Sequence, residues 1–319
     1  MKIKKILAIT FLIILLSIFL NQNIYANRKN TNEKPFSESR FIEVDNIRYH
    51  YRIWKPESEI KGKILLLHGF AGSTYSWRNN VEDLKAAGYQ VLALDLPGFG
   101  YTERKTGLNH SQLKQAERIW NFLSRLESDN IVAQKQNWHL IGHSYGGGTA
   151  AAAAYYNQGQ VQSLILIAGA LNVQERFDNH LIEIELIQEI AKPIIRNVLF
   201  NEPVFERLLS FVYGENPIDN NLDMLLTPLQ IPGTADVLID IATTFKDLPE
   251  SDFTDISLPI LLIWGEEDNS ISTPPEEGKR LRDINDNAEL IYIEKASHFS
   301  MESHPDEVNS ILIDWLNSK

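Results

Sequence analysis

Four short runs of mostly aliphatic residues constrain this chain more than any other feature: Ile64 to Leu67, Val91 to Leu94, Leu164 to Ile167 and Ile260 to Trp264. None alternates with polar residues, so each predicts a strand covered on both faces. Such strands are parallel and central, and parallel neighbours need a crossover that a helix supplies. Helical segments with polar faces lie between them, at Trp77 to Ala87, at Ser111 to Leu126 and in an alanine-rich stretch from Gly146 to Tyr156. The pattern predicts an α/β fold with a doubly wound, mostly parallel sheet. Upstream, Ile42, Val44, Ile47, Tyr49, Tyr51 and Ile53 alternate with polar residues across Asp45-Asn46, which predicts a hairpin of two half-buried strands at one edge.

The alternation breaks once. Residues 171–245 read as several helices with no strand between them; Leu181, Ile184, Ile187 and Ile190 share one face, and Phe205, Leu208, Leu209 and Val212 share another. A helical insertion on such a sheet is expected to cap a site. The alternative is a packing extension, because apolar helical stripes are core more often than ligand contacts. Residues 41–170 and 246–319 are then the core and 171–245 the cap.

The N-terminus forms a separate module. Lys2, Lys4 and Lys5 precede fifteen residues, Ile6 to Leu20, interrupted only by Thr10 and Ser17, and polar Asn21 to Asn23 lead to Ile24-Tyr25-Ala26. That order predicts an export signal over residues 1–26, cleaved after Ala26, and hence a periplasmic or extracellular protein. The run falls short of the roughly 20 residues needed to cross a bilayer, which makes an uncleaved membrane anchor the lesser alternative. Residues 27–40 are polar, lack an apolar period and read as a flexible leader.

Composition removes several function classes. With 42 Asp plus Glu against 30 Lys plus Arg, the net charge is −12, the wrong sign for nucleic acid or anionic lipid. Stable membrane association is not expected once the signal is removed. Cysteine is absent, which excludes disulfides, thiolate metal sites and a cysteine nucleophile. His-Glu-x-x-His, Walker and Gly-x-Gly-x-x-Gly motifs are all missing, and His139 and His143 span a strand and a turn rather than one helix face, so no cofactor and no metal are implied. The sequence carries no signal for an oligomeric state.

The sharpest local motif is Gly142-His143-Ser144-Tyr145-Gly146. Three fixed positions occur by chance in roughly one chain in ten of this length. Context sharpens the signal, because Trp138 to Ile141 reads as a strand and Gly146 to Thr149, followed by five alanines, as a helix. A serine on that turn stands exposed at the C-terminal edge of the strand, next to a helix N-terminus that favours developing negative charge.

Here the chain resembles the α/β-hydrolase superfamily, whose nucleophile elbow has this form. The likeness extends over nearly the whole chain after residue 26. His68-Gly69-Phe70 follows the first buried strand as that family's oxyanion loop does, and Asp95-Leu96-Pro97-Gly98-Phe99-Gly100 follows the second, as in many capped members. The resemblance implies an oxyanion hole formed by the backbone N–H groups of Phe70 and Tyr145. A serine nucleophile also needs a base and an orienting acid. Of the eight histidines, His298 follows the last predicted strand, Leu290 to Ile293, where the family keeps its base. His68, His143, His139, His50, His110 and His180 read as structural or solvated, and His304, before Pro305, as the start of a helix. Three carboxylates, Glu266, Glu267 and Asp268, compete for the acid, and the family spacing before Pro274 favours Asp268.

The sequence therefore predicts a serine hydrolase with Ser144, His298 and Asp268 as its triad, working through an acyl-enzyme on a small-molecule carboxylic ester with an apolar acyl or alcohol group. Ser144 stands where dehalogenases and epoxide hydrolases of the superfamily carry Asp, and Tyr145 where proline iminopeptidase-like members carry Trp, which argues against those activities. Carbon–carbon bond hydrolases and cofactor-free haloperoxidases or perhydrolases share the triad and stay open as alternatives, as does a non-catalytic ligand receptor on the same fold.

Overall fold

The computed structural model describes residues 34–134, 136–171, 173, 184–196, 201–213, 222–270 and 272–319. The predicted export segment lies outside them. Among the described residues no helix is long and apolar enough to cross a membrane.

Eight strands form one sheet: β1 (Ser39–Val44), β2 (Ile47–Trp54), β3 (Gly62–Leu67), β4 (Tyr89–Leu94), β5 (Trp138–His143), β6 (Val161–Ile167), β7 (Ile260–Gly265) and β8 (Ala288–Ile293), in the order β1-β2-β4-β3-β5-β6-β7-β8. β1 pairs antiparallel with β2 and β2 antiparallel with β4; all other pairings are parallel. The crossovers are helical: α1 (Val81–Ala86), α2 (Gln112–Ser128) and α3 (Tyr145–Tyr156) before β6, and α4 (Glu185–Ile194), α5 (Glu202–Tyr213), α6 (Leu222–Leu229), α7 (Thr234–Thr244) and α8 (Glu250–Thr254) between β6 and β7. Then α9 (Pro275–Ile284) links β7 to β8, and α10 (Ser300–Ser303) and α11 (Pro305–Ser318) close the chain. The expected α/β architecture is present.

The continuous aliphatic runs are explained by two cores, one on each face of the sheet. Leu65, Leu67, Leu92 and Leu94 point toward α2 and α3, while Ile64, Leu66, Val91 and Ala93 point toward α1 and α11. Successive residues of a strand face opposite ways, so a strand between two helical layers is apolar at every position.

Several expectations are corrected. The helix predicted over Trp77 to Ala87 is split into a 3-10 turn at Thr74–Trp77 and α1, because Ser73 Oγ accepts from Tyr75 N and fixes a tighter first turn. β2 is not half-buried: Tyr49, Tyr51 and Ile53 enter one core, while His50, Arg52 and Trp54 are also buried on the opposite face. The covering comes from the supposed leader. Ser39 and Arg40 already belong to β1, and the Phe36 ring packs on Tyr75 at 6.2 Å, meets Tyr101 edge-on and lies under the Arg52 guanidinium at 4.1 Å.

In the stretch between β6 and β7 the described residues form helices without a strand, but one apolar stripe is not core. Ile184, Ile190 and Ile194 are exposed, and inward packing falls instead to Ile195, which joins Phe205, Leu226, Leu229, Leu238 and Ala71 in a small cluster. Leu181 and the side chains of Leu208 and Val212 lie outside the described residues.

Two buried imidazoles tie stability to pH. His139, on β5, bonds Ser163 Oγ at 2.8 Å, and His110 precedes α2; burial pushes both down from 6.5 to about 4. Between these values only the unfolded chain binds the protons, so the contribution of these two sites to stability is full above about pH 6.5 and is lost as the pH drops toward 4. The gap of about 2.5 units is worth up to about 3 kcal/mol per histidine. His139→Leu is expected to flatten the fall of the urea midpoint between pH 7 and 4.5 by about one proton's worth. Parallel curves for both proteins would contradict this assignment.

Candidate active site

The site lies at the C-terminal ends of β3, β5 and β7 and in the loop after β8. Ser144 sits between β5 and α3 with φ 51° and ψ −119°, a conformation an L-residue holds only when its surroundings enforce it. Here the enforcement is visible. Ser144 N donates to Ile167 O at 3.0 Å, and its carbonyl accepts from Gly147, Gly148 and Ala170 N–H groups at 2.8, 3.2 and 2.9 Å. A Cβ on Gly146 would stand 2.3 Å from His68 O and 2.4 Å from Leu67 O, so only glycine lets α3 start this close to β3. Tyr145 is the first residue of α3, and an N–H in the first turn has no intrahelical partner.

The loop after β3 is held by its own histidine. His68 Nδ1–H donates to Gly69 O at 2.7 Å, and His68 Nε2 accepts from Leu96 N at 3.0 Å. Burial keeps this imidazole below its ordinary pKa and thus neutral, as that tautomer requires. Gly72 N closes a turn onto Gly69 O at 3.0 Å, leaving Phe70 and Ala71 at its tip. The Phe70 ring is 53% exposed and meets Phe99 and Tyr145 edge-on at 5.4 and 6.2 Å.

Asp268 and His298, thirty residues apart in sequence, meet: His298 Nδ1–H donates to Asp268 Oδ2 at 2.9 Å. Both are nearly buried. With Nδ1 protonated and tied to a carboxylate, Nε2 carries the lone pair. The His298 ring centroid lies 4.7 Å from that of His143, the residue before Ser144, so serine, imidazole and carboxylate gather at one edge of the sheet. Glu266 and Glu267 are exposed and face solvent, leaving Asp268 as the one of the three rivals bonded to the imidazole. His304 N-caps α11.

Sequence reasoning missed the supports of this pair. Ser270 N donates to Asp268 Oδ1 at 2.9 Å, and Thr273 Oγ1 lies 3.4 Å from Asp268 Oδ2 and 3.2 Å from His298 Nδ1. Their signal was available as an Asx turn, Asp two residues before a backbone donor. Tyr213, from α5, stacks on Phe299 at 4.3 Å and 12°, and its hydroxyl donates to Glu302 Oε2 at 3.2 Å, so the inserted helices reach the loop that carries His298.

A second serine, histidine and aspartate row occurs at the other side of the β3 loop. Ser39 Oγ is 2.7 Å from His50 Nε2, and His50 Nδ1 is 2.6 Å from Asp95 Oδ2. Ser39, His50 and Asp95 are at most 1% exposed, against 7% for Ser144, so this serine is the more tightly sealed of the two. Burial alone would raise the Asp95 carboxyl, but His50 and the Tyr101 N–H outweigh it and hold the group below the usual carboxylate range. Asp95 Oδ1 in turn accepts from Thr74 N at 2.6 Å, which braces the segment just after the β3 loop. Among the described residues no group of three or more His, Cys, Asp or Glu could hold a metal ion.

The fold and this arrangement are those of a hydrolase, and residues 64–311 match the model of the alpha/beta hydrolase family; the chain belongs to that family. It is similar to a 2-hydroxy-6-oxononadienedioate/2-hydroxy-6-oxononatrienedioate hydrolase of Cupriavidus pinatubonensis, with 26% identity over 295 residues covering 88% of this chain and 96% of the relative. Among solved structures it is similar to a bacterial membrane phospholipase A, at 25% identity and a TM-score of 0.70, covering 100% of this chain and 99% of that one. A carboxylesterase of Bacillus subtilis shares the fold at 15% identity and a TM-score of 0.66, covering 90% and 94% of the two chains.

Proposed function

We propose that this hydrolase is an exported serine carboxylic ester hydrolase acting on esters with an apolar group. The observation that carries the reading is the Asp268 to His298 hydrogen bond beside Ser144 on its strained turn. In this mechanism His298 Nε2 takes the Ser144 proton as Oγ attacks the acyl carbonyl, and Asp268 stabilises the imidazolium that forms. The N–H groups of Phe70 and Tyr145 bind the oxyanion; each such preorganised donor is worth about 3 kcal/mol. The imidazolium then protonates the leaving alcohol. Water activated by His298 releases the acid, and the described helices between β6 and β7 cover the acyl site as a cap.

A carbon–carbon bond hydrolase is the second reading, supported by the name of the Cupriavidus relative. Its dianionic substrate would need cationic partners, since a carboxylate shielded from water is costly unless paired. The described groups near the site favour the ester instead. Among them are the rings of Phe70, Phe99, Tyr145, Phe245, Phe299 and Tyr213. Arg78 is bound to Glu302, and Arg104 to the carbonyls of Phe99, Gly100 and Pro228.

The test starts from protein recovered outside the cytoplasm, whose N-terminus is expected at Asn27, assayed on p-nitrophenyl esters from acetate to palmitate and on a 2-hydroxy-6-oxodienedioate. Turnover is expected on the esters, with a chain-length optimum that sizes the acyl site. Turnover of the dienedioate alone would replace this reading with the second one, and a chain beginning at Met1 would overturn the cleavage.

A further inference from the structure

His143 is completely buried and lies between the loop after β3 and the loop after β8. It belongs to the Ser144 turn. Its Nε2 lies 3.0 Å from the backbone carbonyl of His298, and a carbonyl can only accept, so Nε2 carries the proton and donates. Its Nδ1 points at the loop after β3, where a Cβ on Gly69 would come within 2.7 Å. The ring packs against those of His298 at 4.7 Å and Phe299 at 4.8 Å.

We propose that His143 is a positioning residue for the base: its Nε2–H grips the His298 carbonyl and sets the imidazole of His298 at working distance from Ser144. This rests on the triad reading above. Two features favour this role over simple filling of space. Among the described residues no group partners Nδ1, and a buried polar atom left that way is unfavourable compared with an apolar side chain of the same size. The imidazole therefore serves for what its other nitrogen does. Burial also holds the ring well below its ordinary pKa, so it stays neutral and keeps a single donor tautomer beside a base that becomes charged in each cycle.

Geometry decides which replacements keep the function. Glutamine can carry an amide N–H to the place of Nε2; asparagine retains the amide but is too short to reach His298 O, and leucine fills the space with no donor. Each variant is assayed on the ester the wild type turns over best, and kcat is normalised to sites labelled by a fluorophosphonate so that only competent protein is counted. His143→Leu and His143→Asn are expected to lower kcat about 10- to 100-fold with KM within about twofold, as a small displacement of a catalytic group does. His143→Gln is expected to stay within about threefold of wild type by keeping that bond. Wild-type kcat in the asparagine variant, or in the leucine variant, would overturn the proposal. So would an equal loss in the glutamine and asparagine variants, which a role in packing alone predicts. Ser144→Ala is run alongside: if it keeps turnover, the triad reading itself fails, whereas serine-dependent turnover that is indifferent to residue 143 rejects only the role of His143.

Discussion

Replacement of Ser144 by alanine is expected to lower ester turnover by about 10⁴-fold or more while leaving the fold intact. The size follows from the covalent step. Without Oγ there is no acyl-enzyme, and the remaining catalysis must come from substrate binding, the oxyanion donors and a water attacking in place of the serine. A loss of 10⁴ corresponds to about 5.4 kcal/mol of transition-state stabilisation. The fold should survive because the turn is held by backbone groups, Ser144 N to Ile167 O and three donors on its carbonyl, none of which involves the hydroxyl. Alanine at φ 51° is slightly more strained than serine, an effect within about 1 kcal/mol. The assay is burst-phase hydrolysis of the best p-nitrophenyl ester with the thermal midpoint measured beside it. A variant that retains more than about a hundredth of the wild-type rate would remove Ser144 from the mechanism.

Asp268→Asn is the second large effect, expected at about 10³- to 10⁴-fold in kcat with little change in KM. The reason is a tautomer. Ser270 N donates to Oδ1 at 2.9 Å, so an asparagine keeps its amide oxygen there and turns its NH₂ toward His298 Nδ1. His298 must then accept at Nδ1 and carry its proton on Nε2, where it can no longer take the proton of Ser144. Thr273 Oγ1, 3.2 Å from Nδ1, is the other group that could donate to the displaced lone pair, which reinforces the wrong tautomer. Glu266→Gln and Glu267→Gln serve as controls, since both side chains are exposed and neither carboxylate bonds His298. A loss below tenfold for Asp268→Asn, or a comparable loss in either control, would show that another group orients the imidazole.

The central sheet was legible because burial on both faces removes polar residues from a strand, and that pattern needs no knowledge of what does the covering. Strand β2 was misread for the complementary reason. His50 and Arg52 look like a solvent face, yet each has a partner that burial requires, Asp95 and Ser39 for the imidazole and Glu38 for the guanidinium. Those partners lie 45, 11 and 14 residues away, beyond any local period. The stripe of Leu181, Ile184, Ile187 and Ile190 makes the opposite point: Ile184 and Ile190 are exposed, because an apolar period reports that a face is apolar and not that anything packs on it.

Within the site, Ser144, Asp268 and His298 could be singled out because each follows a recognisable strand, and in this fold the loops at strand ends converge. Their supports could not. His143 reaches a carbonyl 155 residues away, and Thr273 an imidazole 25 residues away. Nothing in the spacing distinguishes such a histidine from one that fills space.

Taken alone, the sequence determined the layered α/β architecture, the order of its buried strands and the loops on which chemistry could sit, because hydrophobic periodicity and glycine-bracketed turns act over a few residues. Tertiary structure alone decided that Ser39, His50 and Asp95 form a second, more deeply buried row, that Thr273 and Ser270 brace Asp268, and how His143 bonds the base loop. Those outcomes depend on distances between segments that only packing brings together, and a hydrogen bond is won or lost within half an ångström.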